Sequence, residues 1–337
     1  MHKRLRVNVV SESAFTVQGH GVHTAFEETV RMLQWAKNMT VASNSNLPAD
    51  IVHIHTVGVY SLWKLLFSRG RKVISAHVTP DSFVGSLVGA RTWYPLARWY
   101  LRWFYNRADG VLAVSHEVQD ELKELGITKP VYLMPNTIDV RPYKSTPAIK
   151  KAARKHLGIG ESEFVVICCG QVQPRKRVDT FIQCARDLPD VKFVWVGGVP
   201  FKRVAADYGH MKHLMADHPV NVTFTGVISH ADVVAYYQAA DLFFLPSVQE
   251  TFGIVVIEAV AAGLPVLLRD IDQYEKTFKG WYLKGDERSF TGIIHHLQHD
   301  KKAYATAVKQ SAPIAEEYSS ERGRQLLLDI YTQVLQR

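Results

Sequence analysis

The sequence predicts an α/β protein of two doubly wound, Rossmann-like domains, and three observations carry that prediction. At 337 residues the chain is longer than one hydrophobic core usually serves. Short β-branched runs alternate with amphipathic segments from one end to the other, the pattern of βαβ units and parallel sheets. A polar stretch with three prolines, Pro135, Pro142 and Pro147, divides the pattern near its middle.

In the first half the order is RVNVV, then GVHTAFEETVRMLQWA; DIVHIHT, then VYSLWKLLF; KVISAH, then an aromatic segment; GVLAVS, then HEVQDELKEL; and VYLMP. The second half repeats the scheme with EFVVICCG, a helix from about 178, KFVWVGG, a helix around 203–216, VTFTG, HADVVAYYQAA, DLFFLPS, a further helix, PVLLRD and a terminal helical region. Residues 1–140 are therefore expected to form an N-terminal domain, 141–150 a linker and 151–315 a C-terminal domain. Open α/β sheets bind ligands at the carboxyl ends of their strands, so the cleft between two such domains is the expected site.

Composition narrows the class. Hydrophobic residues make up 47%, yet no apolar run approaches the ~18 residues of a membrane span. The start, MHKRLRVNVVSESA, has too short an apolar patch for a secretory signal and reads as a first strand. Cys168, Cys169 and Cys184 form no C-x-x-C pair, which argues for a reducing cytoplasm and against a disulfide framework or zinc site. The net charge is +8, and residues 51–110 hold eight Lys/Arg against two acids. A basic surface of that kind suits an anionic partner.

The most informative stretch is QETFGIVVIEAVAAGLPV, 249–266. Its glycines and proline predict a loop, a helix starting near Phe252 and Gly253, a stop at Gly263 and a strand from Val266. Taken alone, Glu250 reads as a helix cap and Glu258 as a solvated residue. Together with Phe252, Gly253, Ala259, Ala261, Gly263, Pro265 and Val266, however, the two glutamates resemble the E-x7-E signature of retaining glycosyltransferases of family 4, enzymes of the GT-B fold. GQVQPRKRVDT (170–180), VGG (196–198), VTFTGVI (222–228), ADLFFLPS (240–247) and PNTID (135–139) agree in order.

The resemblance implies roles. Glu250 touches the hydroxyls of the donor sugar and Glu258 those of the nucleotide ribose, since a carboxylate accepts two hydrogen bonds from a vicinal diol. Backbone N–H groups at Phe252, Gly253 and Ile254, at a helix start, face the donor diphosphate. Lys176 stabilises the departing diphosphate, and Gly170 and Val227 belong to the same donor site. The family carries an arginine one residue after the glycine of its loop, where this chain has Gln171; Arg175 or Arg177 is a candidate replacement. In the N-terminal domain Gly19, His20 and Gly21 resemble the family's glycine loop on the acceptor side, and His77, ending KVISAH, the histidine that faces the transferred sugar. His53 and His55 read as core or wall, Asn136 and Asp139 as turn and hinge residues with a place at the cleft for Asn136. D-x-D at 270–272 suggests a metal, but enzymes of this resemblance work without metal or other cofactor. The last helix, 316–337, is expected to cross back to the first domain.

Within the family, GQVQPRK, VGGVPF, LPSVQETFGIVVIEA and PVLLRDIDQYEKTFKGWYLKG resemble bacterial diglycosyl-diacylglycerol synthases, which make glycolipids that also anchor lipoteichoic acid. The implied reaction moves glucose or galactose from a UDP-sugar to a glycosyl-diacylglycerol at the cytoplasmic face of the membrane. Segment 91–109, RTWYPLARWYLRWFYNRAD, fits such a setting independently. A helix from Pro95 places Arg98 and Arg102 on one face with Trp99 and Trp103 nearby, a basic aromatic surface for peripheral contact with anionic lipids. SLWKLLFSRGRK at 61–72 repeats the combination more weakly. A soluble acceptor is the alternative; a nucleic-acid binder is disfavoured, because no recognition motif is present and the donor residues would stand idle.

Overall fold

The computed structural model describes residues 4–15, 21–36, 38–80, 90–198, 208–250 and 252–337. They divide into two units, residues 1–139 with 318–337, and residues 140–317.

The first unit runs β1 (Leu5–Val10), α1 (Gly21–Gln34), β2 (Met39–Ser43), β3 (Ile51–Ile54), α2 (Val59–Phe67), β4 (Arg71–Ala76), α3 (Ala90–Tyr105), β5 (Gly110–Ala113), α4 (His116–Glu124) and β6 (Val131–Leu133). The strands form one sheet in the order β2-β1-β3-β4-β5-β6, every neighbouring pair parallel. Strands β3 and β5 are buried at every position, as a sheet with both faces covered requires. One face packs Ile54, Ile74 and Val111 against Leu101 and Phe104 of α3.

The second unit runs α5 (Pro147–Leu157), β7 (Phe164–Cys169), α6 (Val178–Asp187), β8 (Val191–Val196), α7 (Tyr208–Ala216), β9 (Val222–Phe224), α8 (His230–Ala239), β10 (Leu242–Leu245), α9 (Ile254–Ala261), β11 (Val266–Arg269), α10 (Asp272–Phe278), β12 (Leu283–Gly285), α11 (Phe290–His299), α12 (Lys301–Ser311) and α13 (Pro313–Glu317). Its sheet is again parallel, β12-β11-β10-β7-β8-β9. Asp241 ties the opening helix to this sheet: its carboxylate accepts from Lys150 and Arg154, both at 2.6 Å, and from the Val165 amide at 2.7 Å.

The final helix, α14 (Ser320–Gln336), belongs to the first unit. Leu327, Ile330, Tyr331 and Val334 recur at helical spacing and pack with Val7, Val9, Ile51 and Val73 on the other face of its sheet. Gly323 is required there, because a Cβ would lie 2.6 Å from Thr137. Residues 199–207, which hold the start of the helix expected at 203–216 and part of VGGVPF, lie outside the described residues, as do Gly19 and His20; Gly21 opens α1.

In each sheet the strand order reverses once, between β1 and β3 in the first and between β7 and β10 in the second. Ligands of doubly wound sheets bind beyond the carboxyl ends of the strands at such a point. The segments that follow β7 and β10 carry most of the residues singled out above.

Candidate active site

Strand β10 ends at Leu245, and the chain turns through Pro246 and the fully buried Ser247 to Glu250. Strand β7 ends at Cys169 beside Gly170, whose φ of 139° is open to glycine. From there the chain reaches a 3₁₀ turn, Pro174–Lys176, which brings two cations to the end of β10. Lys176 Nζ forms an ion pair with Glu250 Oε1, each side chain only 7% exposed. Arg175 Nη1 stands 3.4 Å from Glu250 Oε2 and donates to the Gln249 carbonyl at 2.8 Å. The Ser247 hydroxyl lies 2.9 Å from Glu250 Oε1, and the Glu250 amide donates to Gln273 Oε1 at 3.1 Å. Glu250 is thus a buried carboxylate compensated by two cations and a hydroxyl, not a helix cap.

Helix α9 begins after Gly253, at φ 80°, a conformation costly for any side chain. Its N-cap makes no side-chain hydrogen bond. The first-turn N–H groups of such a helix, positive in partial charge, suit an anion. Phe252 is buried and Gly263 leaves the helix with φ 85°.

Glu258, one turn into α9, accepts from Tyr143 OH at 2.9 Å on Oε1 and from Tyr237 OH at 2.8 Å on Oε2. His230 Nε2 lies 3.1 Å from the Tyr143 hydroxyl. Burial pushes the Glu258 carboxyl up, against the lowering effect of the two phenols. The solvated reading of Glu258 therefore fails: each oxygen keeps one lone pair for a further donor and is held in place through the other. Tyr143 and Tyr237 were not legible as site residues, since neither belongs to a local motif around the glutamates.

The two candidate arginines separate. Arg177 pairs with Asp179 at 2.8 Å and with Glu287 at 2.8 Å, and Glu287 also holds Arg269 at 2.7 Å. Arg175 is the one that faces Glu250. Gln171 accepts from Gln173 at 2.9 Å, and Val227 is exposed on the loop after β9. Burial pushes the Cys169 thiol up to about 12 and that of Cys184 up to about 11, so neither is a ready thiolate. Among the described residues no group of three His, Cys, Asp or Glu could hold a metal ion, the D-x-D included.

In the first unit His77 follows β4, and its Nε2 lies 3.0 Å from Nδ1 of His55. His53, His55, His77 and Asn136 line one small cavity with Glu28. On α3, Leu96, Arg98, Trp99 and Arg102 are exposed, whereas Trp103 packs on the core with Arg107 4.3 Å above its ring. Arg98 donates to the Glu124 carbonyl at the end of α4 at 2.7 Å. On α2, Trp63 and Phe67 of the 61–72 stretch are exposed, and the structure adds Val59. No helix of the described residues is long and apolar enough to cross a membrane.

The profile for Glycosyl transferases group 1 matches residues 149–311, and that for Glycosyltransferase Family 4 matches residues 10–141. The chain is 33% identical to an alpha-galactosylglucosyldiacylglycerol synthase of Streptococcus pneumoniae, over 98% of this chain and 90% of that one. A processive diacylglycerol alpha-glucosyltransferase of Acholeplasma laidlawii is 26% identical over 98% and 99%. Among solved structures, Anabaena HepE in complex with UDP-glucose superposes with a TM-score of 0.74 at 17% identity, covering 98% of this chain and 100% of that chain. Fold and site define a glycosyltransferase of the GT-B class. The chain belongs to glycosyltransferase family 4.

Proposed function

We propose that the protein is a retaining hexosyltransferase that moves glucose or galactose from a UDP-sugar onto monoglucosyl-diacylglycerol, giving an α-linked diglycosyl-diacylglycerol. The observation that carries this reading is the buried Lys176–Glu250 pair beside the start of α9. A diphosphate there competes with Glu250 for Lys176 and Arg175. Its arrival draws the cations onto phosphate oxygens and leaves the carboxylate to accept hydrogen bonds from sugar hydroxyls. Glu258, steadied by Tyr143 and Tyr237, takes the ribose diol with its remaining lone pairs.

Lys176 and Arg175 then stabilise the charge that grows on the diphosphate as the bond from the anomeric carbon to phosphate oxygen breaks. The acceptor hydroxyl attacks from the same face, and its proton passes to the departing phosphate oxygen. His77 faces the transferred hexose, and Gly19, His20 and Gly21 border the acceptor. The relatives named for diacylglycerol substrates and the neighbour crystallised with UDP-glucose support the choice of substrates.

The protein works as a peripheral enzyme at the cytoplasmic face of the membrane. Arg98 and Arg102 meet anionic headgroups, and Trp99 with the exposed residues of α2 meets the acyl boundary. The test offers UDP-glucose and UDP-galactose separately with monoglucosyl-diacylglycerol in anionic mixed micelles and weighs the lipid products. A dihexosyl lipid supports the reading; slow hydrolysis of UDP-sugar with no lipid product keeps the donor site and removes the acceptor.

A further inference from the structure

Three histidines meet inside the first unit. His53 is wholly enclosed: Nδ1 lies 2.7 Å from Tyr331 OH on α14 and Nε2 lies 2.8 Å from Ser75 Oγ on β4. A hydroxyl can donate or accept, so His53 is satisfied in either tautomer. His55 is 2% exposed, and its ring is boxed by His53 at 4.4 Å between centroids and by Phe26, in a T-shaped contact, at 6.0 Å. Its Nδ1 is 3.0 Å from His77 Nε2.

The ring centroids of His55 and His77 are 5.2 Å apart with planes within 22° of each other. That separation is about the contact distance plus the two ring radii, so the rings lie edge to edge with the shared proton near both planes. This is hydrogen-bond geometry, not face-to-face stacking. The opposite nitrogen, His55 Nε2, is buried with no protein hydrogen-bond partner among the described residues. His55 lines a cavity of about 30 Å³ together with Glu28, Asn136 and Thr137. A polar space of that size accommodates water.

We propose that His55 is a positioning residue for the transfer reaction: it holds the His77 ring in one orientation and one tautomer, with His77 Nε2–H donating to His55 Nδ1. The proposal rests on the reading that His77 faces the transferred hexose. Burial drives His53 down to about 3 and His55 well below the usual imidazole range, so both rings stay neutral and each carries one N–H. For His55 that N–H belongs on Nε2, the nitrogen without a protein partner, beside a polar cavity in which water accepts it. Nδ1 is then an acceptor, and the Nε2 proton of His77 is fixed. The hydrogen bond on one ring nitrogen decides what the other offers. His77 therefore presents a defined Nδ1 edge instead of a mixture of tautomers, on a ring that His55 prevents from turning.

The test uses three variants of the full chain and histidine ring ¹⁵N NMR, with His77 assigned from its own variant. His55→Phe keeps the aromatic packing and removes the acceptor; His55→Asn keeps a hydrogen-bonding atom near the Nδ1 position. His55→Phe is expected to lower kcat about tenfold or more with donor KM unchanged, as loss of an orienting partner does. His55→Asn should restore most of that loss at equal thermal stability. In the unsubstituted protein His77 should show a protonated Nε2 and a bare Nδ1, and in His55→Phe a tautomer mixture. Unchanged kcat and unchanged His77 signals in His55→Phe would overturn the proposal, as would equal impairment by Phe and Asn. A His77→Phe variant with full activity would overturn the reading of His77, and the NMR result would still tell whether His55 fixes that ring.

Discussion

Lys176 and Glu250, 74 residues apart in the chain, form an ion pair in which both side chains are buried. Neither charge is stable there alone. Removing one partner of a buried pair costs about 3 kcal/mol or more, because the other stays behind desolvated. Lys176→Met should therefore lower both the stability of the protein and its activity. Lys176→Met combined with Glu250→Gln should recover most of the stability and none of the activity. Denaturant unfolding beside a transfer assay separates the two effects; a double variant no more stable than Lys176→Met would contradict the coupling.

The phenols on Glu258 lead to a second expectation. Tyr143→Phe removes one of two hydrogen bonds that steady the carboxylate. A bond to a charged group contributes about 1.5 kcal/mol, so UDP should bind roughly tenfold more weakly. Calorimetric titration with UDP and with 2′-deoxy-UDP reads the effect directly. Glu258→Gln should narrow the difference between the two nucleotides, and an undiminished preference for UDP would exclude Glu258 from the ribose.

How much of this was legible in the sequence depends on whether the partners are local. The parallel sheets, their glycine-marked ends and the E-x7-E helix follow from alternation and from positions where only glycine adopts the backbone, such as Gly170 and Gly253. Glu250 and Glu258 were legible only through the resemblance of 249–266 to the E-x7-E signature, since taken alone they read as a cap and a solvated residue. Their environments were not. Tyr143 and Tyr237 reach the Glu258 carboxylate, and Gln273 the Glu250 amide, from distant parts of the chain, so spacing around the glutamates carries no trace of them; Ser247 is local to Glu250, but nothing in its position marks it as a partner. His55 read as a wall residue because its partner His77 sits on the neighbouring strand's end. Trp103 read as interfacial because helical spacing places it near Arg102, but the core side of α3 takes it in.

Arg175 and Arg177, two residues apart, should behave differently. Arg175→Ala is expected to raise donor KM about tenfold, the loss of one charge-assisted contact, while Arg177→Ala leaves KM unchanged. Equal effects on KM would contradict the separation of the two side chains.

The Glu287 carboxyl carries a pH signature. The hydrogen bond from Arg269 holds it down to about 2 from an ordinary 4.5. A carboxyl depressed in the folded state stabilises above its unfolded value and loses that contribution as pH falls through the folded one. The stability advantage of the natural protein over Glu287→Gln should be constant above pH 4.5 and close as pH falls towards 2. Thermal unfolding of both proteins across that window checks it; an advantage that grows on acidification would contradict the assignment.

Membrane contact makes its own demand. Arg98→Ser should weaken binding to anionic vesicles about fivefold, the worth of one basic residue near a charged surface, and the loss should fade at high salt. Trp99→Ser should weaken binding at every salt concentration. Vesicle sedimentation measures both, and binding indifferent to both substitutions would place the membrane surface elsewhere.

The central claim is retaining transfer through Glu250 and Lys176 to a glycolipid. Its most direct measurement is the anomeric proton coupling, by NMR, of the new glycosidic bond in product made from UDP-glucose or UDP-galactose and monoglucosyl-diacylglycerol, with Glu250→Gln run in parallel. An α-linked dihexosyl lipid, absent from the variant reaction, is the predicted result. A β linkage, or full product yield from Glu250→Gln, would contradict it.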